Sequence, residues 1–248
     1  MLVIQGRAEK PVYLVISNGF VQIKDAGHLW GMPTDLAQEI IKDEIGDGKA
    51  RMTCIGAAGE HQIPYASIMG ERRAAGRGGA GAVMGVKNLK AIAVRGTKNI
   101  DVADPDRFRK AVKETIRKIQ GSAQLSRMVK HGTITFLDDL NDHGILPCRN
   151  FQEAQTEWAK GLYSGVFEDF IVKHMHCGPP CATRCSKLTL VRSGPYAGAV
   201  SEGPEYETLY AIGACCGIAD MPALIEADYL CDRYGLDTIS FGVSLAFA

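Results

Sequence analysis

Three cysteines share one short stretch of this chain, HCGPPCATRC at residues 176–185. Cys177, Cys181 and Cys185 are separated by glycine, proline and small side chains, and the Pro179–Pro180 pair forces the chain to bend. Three thiolates on one tight turn are typical of a metal that bonds sulfur strongly. A tetrahedral metal site or a four-iron cluster needs a fourth ligand, which these cysteines do not supply.

Two ligand sets are compatible with this spacing. His174 lies three residues before Cys177, so His174 and the three cysteines could close a local zinc site. An iron–sulfur cluster would instead take its fourth cysteine from a distant part of the polypeptide. The spacing alone favours neither, and both alternatives stay open at this point.

Composition limits the class of protein. The chain has 248 residues, 46% of them hydrophobic, and a formal net charge of zero, so nothing indicates a nucleic-acid or membrane partner. The N-terminus lacks the features of a signal peptide, and no stretch approaches the roughly 18 apolar residues of a membrane span. We therefore expect a cytoplasmic protein, whose clustered thiols are metal ligands or redox groups and not disulfides.

The order of patterns predicts an α+β fold. Residues 1–100 alternate short β-rich runs with a helix that should end at Gly46, and Asn18-Gly19 indicates a hairpin between two of these runs. Asp104 is predicted to cap a helix, after which apolar residues recur at helical spacing, and FEDFIVKHMH at 167–176 is predicted to be a short helix leading into the cysteines. We expect part of a β-rich domain at 1–100 and a helical domain carrying the cysteine turn at 101–248. Both ends of the chain resemble cuts, which predicts an internal piece of a longer protein.

A second stretch rich in glycine and arginine, ERRAAGRGGAGAVMG, occupies residues 71–85. Its glycines allow close approach of the backbone to a ligand, and Arg72, Arg73 and Arg77 carry forked donors suited to phosphate. The pattern matches neither a P-loop nor a dinucleotide-binding fingerprint. The alternatives are an anion site and a glycine-rich packing corner with solvated arginines, and the three arginines favour the anion site.

Three carboxylates precede an apolar helix in SEGPEYETLYAIG. Acidic residues in a first helical turn usually favour the helix dipole, and this structural role is one interpretation of Glu202, Glu205 and Glu207. A carboxylate turned into an apolar pocket would instead have a raised pKa and could act as a general base.

Four segments taken together resemble the tungsten-dependent aldehyde ferredoxin oxidoreductases. They are RAAGRGGAGAVMGVKNLKAIAV, the cysteine turn, EGPEYET and DRYGLD, and they follow the family's order over essentially the whole chain. Members of that family are about twice as long or more. The resemblance therefore implies a middle portion, without the first strands of the β-rich domain and without the last domain.

The resemblance implies a tungsten or molybdenum atom held by two pterin dithiolenes beside a 4Fe–4S cluster. It assigns one pterin contact to the D-x-x-G-L-[CD] motif and the surroundings of the pterin phosphates to the glycine-arginine run. It assigns cluster binding to the cysteine turn with a fourth cysteine from the absent domain, and proton transfer near the metal to Glu207. Because Glu205 and Glu207 should face opposite sides of the helix, the resemblance implies that Glu207 is the inward, desolvated carboxylate and Glu205 the solvated one. The implied cofactor-binding residues are Asp232, Gly235, Leu236 and Asp237, with Arg77, Gly78 and Gly79, and the implied cluster ligands are Cys177, Cys181 and Cys185.

Two positions depart from the family pattern. The first cysteine gap holds three residues where two are usual, which places Cys177 one residue early. Tyr229 stands where some members have the histidine of a single-iron site, so that iron is not expected here. The predicted activity is oxidation of an aldehyde with water to a carboxylate, with ferredoxin as electron acceptor and the remaining part of the enzyme or a partner subunit required. The alternative is a non-enzymatic binding module stabilised by a His–Cys₃ zinc site.

Overall fold

The computed structural model describes residues 2–178 and 181–248, in two units. The first unit comprises Met1–Lys98 and Leu230–Phe241, and the second comprises Asn99–Tyr229 and Gly242–Ala248. Pro179 and Pro180, for which the sequence predicts a bend, lie outside the described residues. The β-rich start and the helical continuation confirm the predicted α+β class.

A six-stranded sheet organises the first unit, with the strand order β2-β1-β6-β3-β4-β5. The hairpin predicted at Asn18-Gly19 is confirmed, because β1 and β2 pair antiparallel around these residues. Asn18 and Gly19 have φ values of 49° and 89°, as a tight hairpin turn requires. The strands are β1 (Val12–Ser17), β2 (Phe20–Asp25), β3 (Arg51–Cys54), β4 (Ile68–Gly70), β5 (Arg73–Ala75) and β6 (Leu89–Arg95).

Both faces of this sheet are packed. Successive side chains of a strand point to opposite faces, so Tyr13 and Leu14 of β1 join two different hydrophobic clusters. Tyr13 packs with Ile41 of helix α1 (Thr34–Ile45), and Leu14 packs with Met84 of helix α3 (Ala80–Val86). Helix α1 ends at Gly46, whose φ of 67° is the left-handed stop expected from the sequence.

The short helix α2 (Ala57–Glu60) and helix α3 approach each other through glycines. A Cβ atom placed on Gly85 would lie only 1.8 Å from the carbonyl oxygen of Gly59. Several glycines of the glycine-arginine run therefore serve backbone packing, as the packing alternative for that run predicted.

Helices and a small sheet form the second unit. Asp104 caps α4 as predicted, because its carboxylate accepts a hydrogen bond from the backbone N–H of Arg107. The three strands of the small sheet are antiparallel, in the order β7-β8-β9. The elements are α4 (Pro105–Gln120), α5 (Ala123–His131), α6 (Thr135–Asp142), α7 (Ser164–Glu168), β7 (Ile171–Met175), β8 (Ser186–Leu190), β9 (Val200–Ser201) and α8 (Tyr206–Thr208).

The helix predicted at 167–176 is wrong for all but its first two residues. Helix α7 ends at Glu168, and Ile171–Met175 instead forms β7, which pairs with β8. The cysteine turn therefore connects two neighbouring antiparallel strands.

The end of the chain is helical. A π-helical segment (Leu209–Ala214) follows α8, and the chain continues with α9 (Met221–Tyr234) and α10 (Thr238–Phe247). Three-residue and five-residue 3₁₀ segments lie at Gly27–Leu29, Gly132–Ile134 and Trp158–Leu162. Within the described ranges, no helix is long and apolar enough to cross a membrane.

Candidate functional site

The glycine-arginine run forms an exposed corner between β5 and α3 in the first unit. Gly78 and Gly79 have φ values of 93° and 68°, which residues other than glycine rarely adopt. Gly79 also has no room for a side chain, because a Cβ atom there would lie 2.4 Å from the carbonyl oxygen of Pro64. The side chain of Arg77 is 66% exposed. A bare backbone beside an accessible guanidinium fits an anionic group such as a pterin phosphate.

The D-R-Y-G-L-D segment at 232–237 belongs to the same unit as this corner. The hydroxyl of Thr34 donates to the carbonyl oxygen of Asp232 at 2.8 Å. Gly235, with a φ of 71°, accepts a hydrogen bond on its carbonyl oxygen from the N–H of Ser67 at 2.8 Å. Leu236 forms an antiparallel bridge with Ala66. The segment is thus fixed to the loop that leads into β4.

Arg77 and Asp237 connect the two predicted pterin segments. Arg77 Nε lies 3.7 Å from Asp237 Oδ2, and the Asp237 side chain is only 5% exposed. The same carboxylate oxygen accepts hydrogen bonds from the N–H of Ser240 at 2.9 Å and from its hydroxyl at 2.5 Å. Asp237 therefore caps the start of α10 as well as facing Arg77, and its partner Ser240 was missed in the sequence analysis.

An open apolar pocket of about 320 Å³ adjoins this segment within the first unit. Aromatic and aliphatic side chains dominate its wall, and one imidazole contributes. Its lining residues are Ala57, Ala58, His61, Ile63, Tyr65, Tyr234, Leu236 and Phe241. Of the predicted cofactor-binding residues, Leu236 takes part in this pocket.

The cysteine turn lies in the second unit, between the paired ends of β7 and β8. Cys177 is exposed, whereas Cys181 and Cys185 are partly buried. Backbone hydrogen bonds from Arg184 and Thr183, with a further one from the Cys177 thiol, lower the pKa of the Cys181 thiol. A sulfur that accepts backbone N–H groups is prepared for the thiolate state, which is the state that binds iron.

A buried lysine lies directly behind the turn. Lys187 of β8 is 2% exposed, and its ammonium group donates to the carbonyl oxygens of Cys185 and Arg184 at 2.8 Å and 2.9 Å. Burial lowers the pKa of Lys187 to about 8, whereas the charges of Cys185 and Glu205 act in the opposite direction. Burial also raises the pKa of the Cys185 thiol, and the carboxylate of Glu205 adds to this rise. No motif in the sequence indicated that Lys187 contributes to the site. The available signal was a lysine in the strand Ser186–Leu190, which is largely buried.

The two glutamates before the π-helical segment are exposed in the opposite order to the one expected. Glu207 is exposed in this chain, although the sequence analysis expected a desolvated carboxylate. Glu205 is partly buried, and it accepts a hydrogen bond from the Thr133 hydroxyl. The described residues alone therefore do not cover the Glu207 side chain, and its role as a desolvated general base stays a prediction.

The donor set can be compared with the two metal sites that the sequence left open. In residues 2–178 and 181–248, no three His, Cys, Asp or Glu side chains lie together as ligands of one metal ion. A His174–cysteine zinc site would need such a group, and this site stays an alternative for the turn. In a 4Fe–4S cluster each cysteine binds a different iron, so the thiols need not converge on one point. The thiol chemistry of the turn fits that cluster.

Comparison with family models gives two matches that together cover nearly the whole chain. Residues 1–96 match the aldehyde ferredoxin oxidoreductase N-terminal domain. Residues 110–248 match domains 2 and 3 of aldehyde ferredoxin oxidoreductase.

Curated relatives and a solved structure agree with these matches. The tungsten-containing aldehyde ferredoxin oxidoreductases of Thermococcus kodakarensis and Pyrococcus furiosus are 42% and 40% identical over 100% of this chain. The chain spans 40% of the length of each of these relatives. The BamBC active-site complex of benzoyl coenzyme A reductase, solved with 1,5-dienoyl-CoA, superposes with a TM-score of 0.78. That structure is 28% identical, over 98% of this chain and 38% of the other chain. The chain therefore belongs to the aldehyde ferredoxin oxidoreductase family.

Proposed function

We propose that this chain is the middle part of an aldehyde oxidoreductase with a tungsten- or molybdenum-pterin cofactor. The reaction converts an aldehyde and water to a carboxylate, with release of two electrons and three protons. The observation that carries the proposal is the contact between Arg77 and Asp237 at 3.7 Å. It joins, within one unit, the two segments that the family resemblance assigns to the pterin.

The residues of the first unit would hold the pterin part of the cofactor. When bound, this cofactor supplies the two-electron redox chemistry, which no side chain provides. The guanidinium of Arg77 would bind a phosphate, and the bare backbone at Gly78 and Gly79 allows the phosphate to approach closely. The fixed D-R-Y-G-L-D segment, with Asp232, Gly235, Leu236 and Asp237, would orient the pterin ring.

The cysteine turn would hold the electron-transfer cluster. Cys177, Cys181 and Cys185 would bind three irons of a 4Fe–4S cluster, and the fourth cysteine would come from the rest of the protein. Ferredoxin is the proposed acceptor of the electrons. All eight cysteines are free thiols, which supports a reducing compartment such as the cytoplasm.

Glu207 is the proposed proton acceptor during aldehyde oxidation. Its carboxylate lies at the start of the helical segment that continues into Leu209–Ala214, and it is accessible in this chain. For a general base near neutral pH, the remaining part of the protein would have to cover Glu207 and so desolvate it.

The full-length protein, purified without oxygen, tests this function. We expect tungsten or molybdenum, four irons with acid-labile sulfide, and aldehyde-dependent reduction of ferredoxin. Zinc in place of iron, with no aldehyde oxidation in the presence of any electron acceptor, would contradict the proposal. That result would favour the alternative, a binding module stabilised by zinc.

A further inference from the structure

Lys187 makes an unusual set of contacts for a lysine. In addition to the carbonyl oxygens of Arg184 and Cys185, its ammonium group donates to the carbonyl oxygen of Met128 at 3.4 Å. An ammonium group has three N–H donors, and a neutral amine has two. Three carbonyl acceptors therefore match the charged form of this side chain.

A buried charge requires compensation, because its removal from water is unfavourable. The negative groups that interact with Lys187 are Cys185, when it is a thiolate, and Glu205. Met128 adds a carbonyl from the C-terminal half of α5 (Ala123–His131), where the helix dipole favours a cation. The position of Lys187 is thus favourable when the cysteine turn carries negative charge.

Close packing of the backbone also restricts the Cys185 carbonyl that Lys187 contacts. A Cβ atom on Gly132 would lie 2.4 Å from the carbonyl oxygen of Cys185 and 3.7 Å from Lys187 Nζ. Arg184 has a φ of 45°, which turns its carbonyl sharply relative to its neighbours. The Cys185 carbonyl is therefore restricted by close packing and by the ammonium group, and the Arg184 carbonyl by its backbone conformation and by the ammonium group.

We infer that Lys187 is a positioning residue that fixes the backbone at Arg184 and Cys185, the end of the cysteine turn, and raises the reduction potential of the cluster bound there. The inference rests on the proposed function, because it requires the 4Fe–4S cluster. Uptake of one electron makes the cluster more negative, so a nearby buried cation stabilises the reduced state. In a low-dielectric surrounding this effect is much stronger than that of a solvated lysine.

The test is a potentiometric titration of the cluster in the full-length protein, followed by electron paramagnetic resonance. We expect Lys187→Met to lower the reduction potential of the cluster by about 59 mV or more. For one electron this shift corresponds to a tenfold change in the ratio of oxidised to reduced cluster. Lys187→Arg retains the charge and should stay close to the original potential. Lys173→Met is the matched control, because Lys173 is an exposed lysine on the neighbouring strand β7. The cluster of the Lys173→Met protein should keep the original reduction potential.

Each outcome decides the inference. A Lys187→Met protein that retains iron at an unchanged potential overturns it. If Lys187→Met retains no iron, Lys187→Arg decides. A Lys187→Arg protein whose cluster has the original potential supports the role of the charge. Loss of the cluster from the Lys187→Arg protein as well shows that only the shape of the lysine side chain matters, and it overturns the inference. Absence of iron and sulfide from the unsubstituted protein refutes the proposed function itself, and the inference with it.

Discussion

Lys90 Nζ lies 2.5 Å from Glu60 Oε1, and the two side chains are 0% and 2% exposed. Each charge has a further backbone partner: Lys90 donates to the carbonyl oxygen of Met32 at 3.0 Å, and Glu60 accepts from the N–H of Gly31 at 2.7 Å. The pair therefore connects β6 and α2 with the loop before α1. This ion pair is fully compensated only while both partners are present.

Removal of one partner should strongly destabilise the protein. Glu60→Gln leaves the Lys90 ammonium buried without a counter-charge, and we expect a loss of about 3–5 kcal/mol in the free energy of unfolding. Urea denaturation followed by circular dichroism measures this loss. Glu71→Gln removes one partner of the exposed Arg51–Glu71 pair, and it should change stability by about 1 kcal/mol or less. Equal losses in the two variants would contradict a special role for the buried pair.

Arg77→Lys separates anion binding from packing. Lysine keeps the charge but loses the planar fork, so we expect weaker retention of the pterin cofactor in the full-length protein. The melting temperature of the cofactor-free protein should barely change, because the Arg77 side chain is largely exposed. Pterin content after gel filtration measures retention, and Arg51→Lys serves as an exposed control. Normal retention together with a much lower melting temperature would favour the packing role.

Asp228 should make stability depend on pH. Burial raises the pKa of Asp228 to about 6, although hydrogen bonds from Ser201 and Thr208 act in the opposite direction. The folded state thus binds this proton up to a higher pH than the unfolded state, in which the pKa is near 3.8. Stability is therefore lost as the pH rises from about 4 to about 6, by on the order of 2–3 kcal/mol, and is constant above that range.

Asp228→Asn should remove this dependence. The amide oxygen can accept from one of the Ser201 and Thr208 hydroxyls, the amide NH₂ can donate to the oxygen of the other, and an amide does not ionise. The difference in unfolding free energy between the original protein and the variant should therefore grow from pH 4 to pH 6 in favour of the variant. Parallel stability curves for the two proteins would show that Asp228 does not titrate in this range.

Glu207→Gln tests the proposed general base. The substitution keeps the shape and removes the proton acceptor, so we expect turnover to fall roughly 100-fold or more in the complete enzyme, with metal and cluster content unchanged. Glu205→Gln can still accept the hydrogen bond from Thr133, and it should reduce turnover only slightly. Equal losses in both variants, together with loss of metal, would assign these acids a structural role.

The sequence could predict the features of the fold that depend on neighbouring residues, such as turns and helix ends. Asn18-Gly19 produced a hairpin, Gly46 ended α1, and Asp104 capped α4, because each conformation depends on neighbouring residues only. The strand Ile171–Met175 was missed because its extended form depends on pairing with Ser186–Leu190, further along the chain.

The candidate site shows the same limit. The resemblance selected Arg77 and Asp237, but only the folded chain shows that they face each other. Lys187 escaped notice because its role comes from three backbone carbonyls, which no side-chain pattern encodes. The partly buried Glu205 accepts a hydrogen bond from Thr133, which lies 72 residues earlier in the chain, so no local pattern could indicate this contact.

The position of Leu230–Phe241 in the first unit has a consequence for synthesis of this protein on the ribosome. The hydrogen bond from Thr34 to Asp232 spans 198 residues. At about 5–20 residues per second, translation needs roughly 10–40 s to cover that separation. During this interval the nascent first unit lacks its final segment, and the surface that later receives Gly235 and Leu236 is open to chaperones.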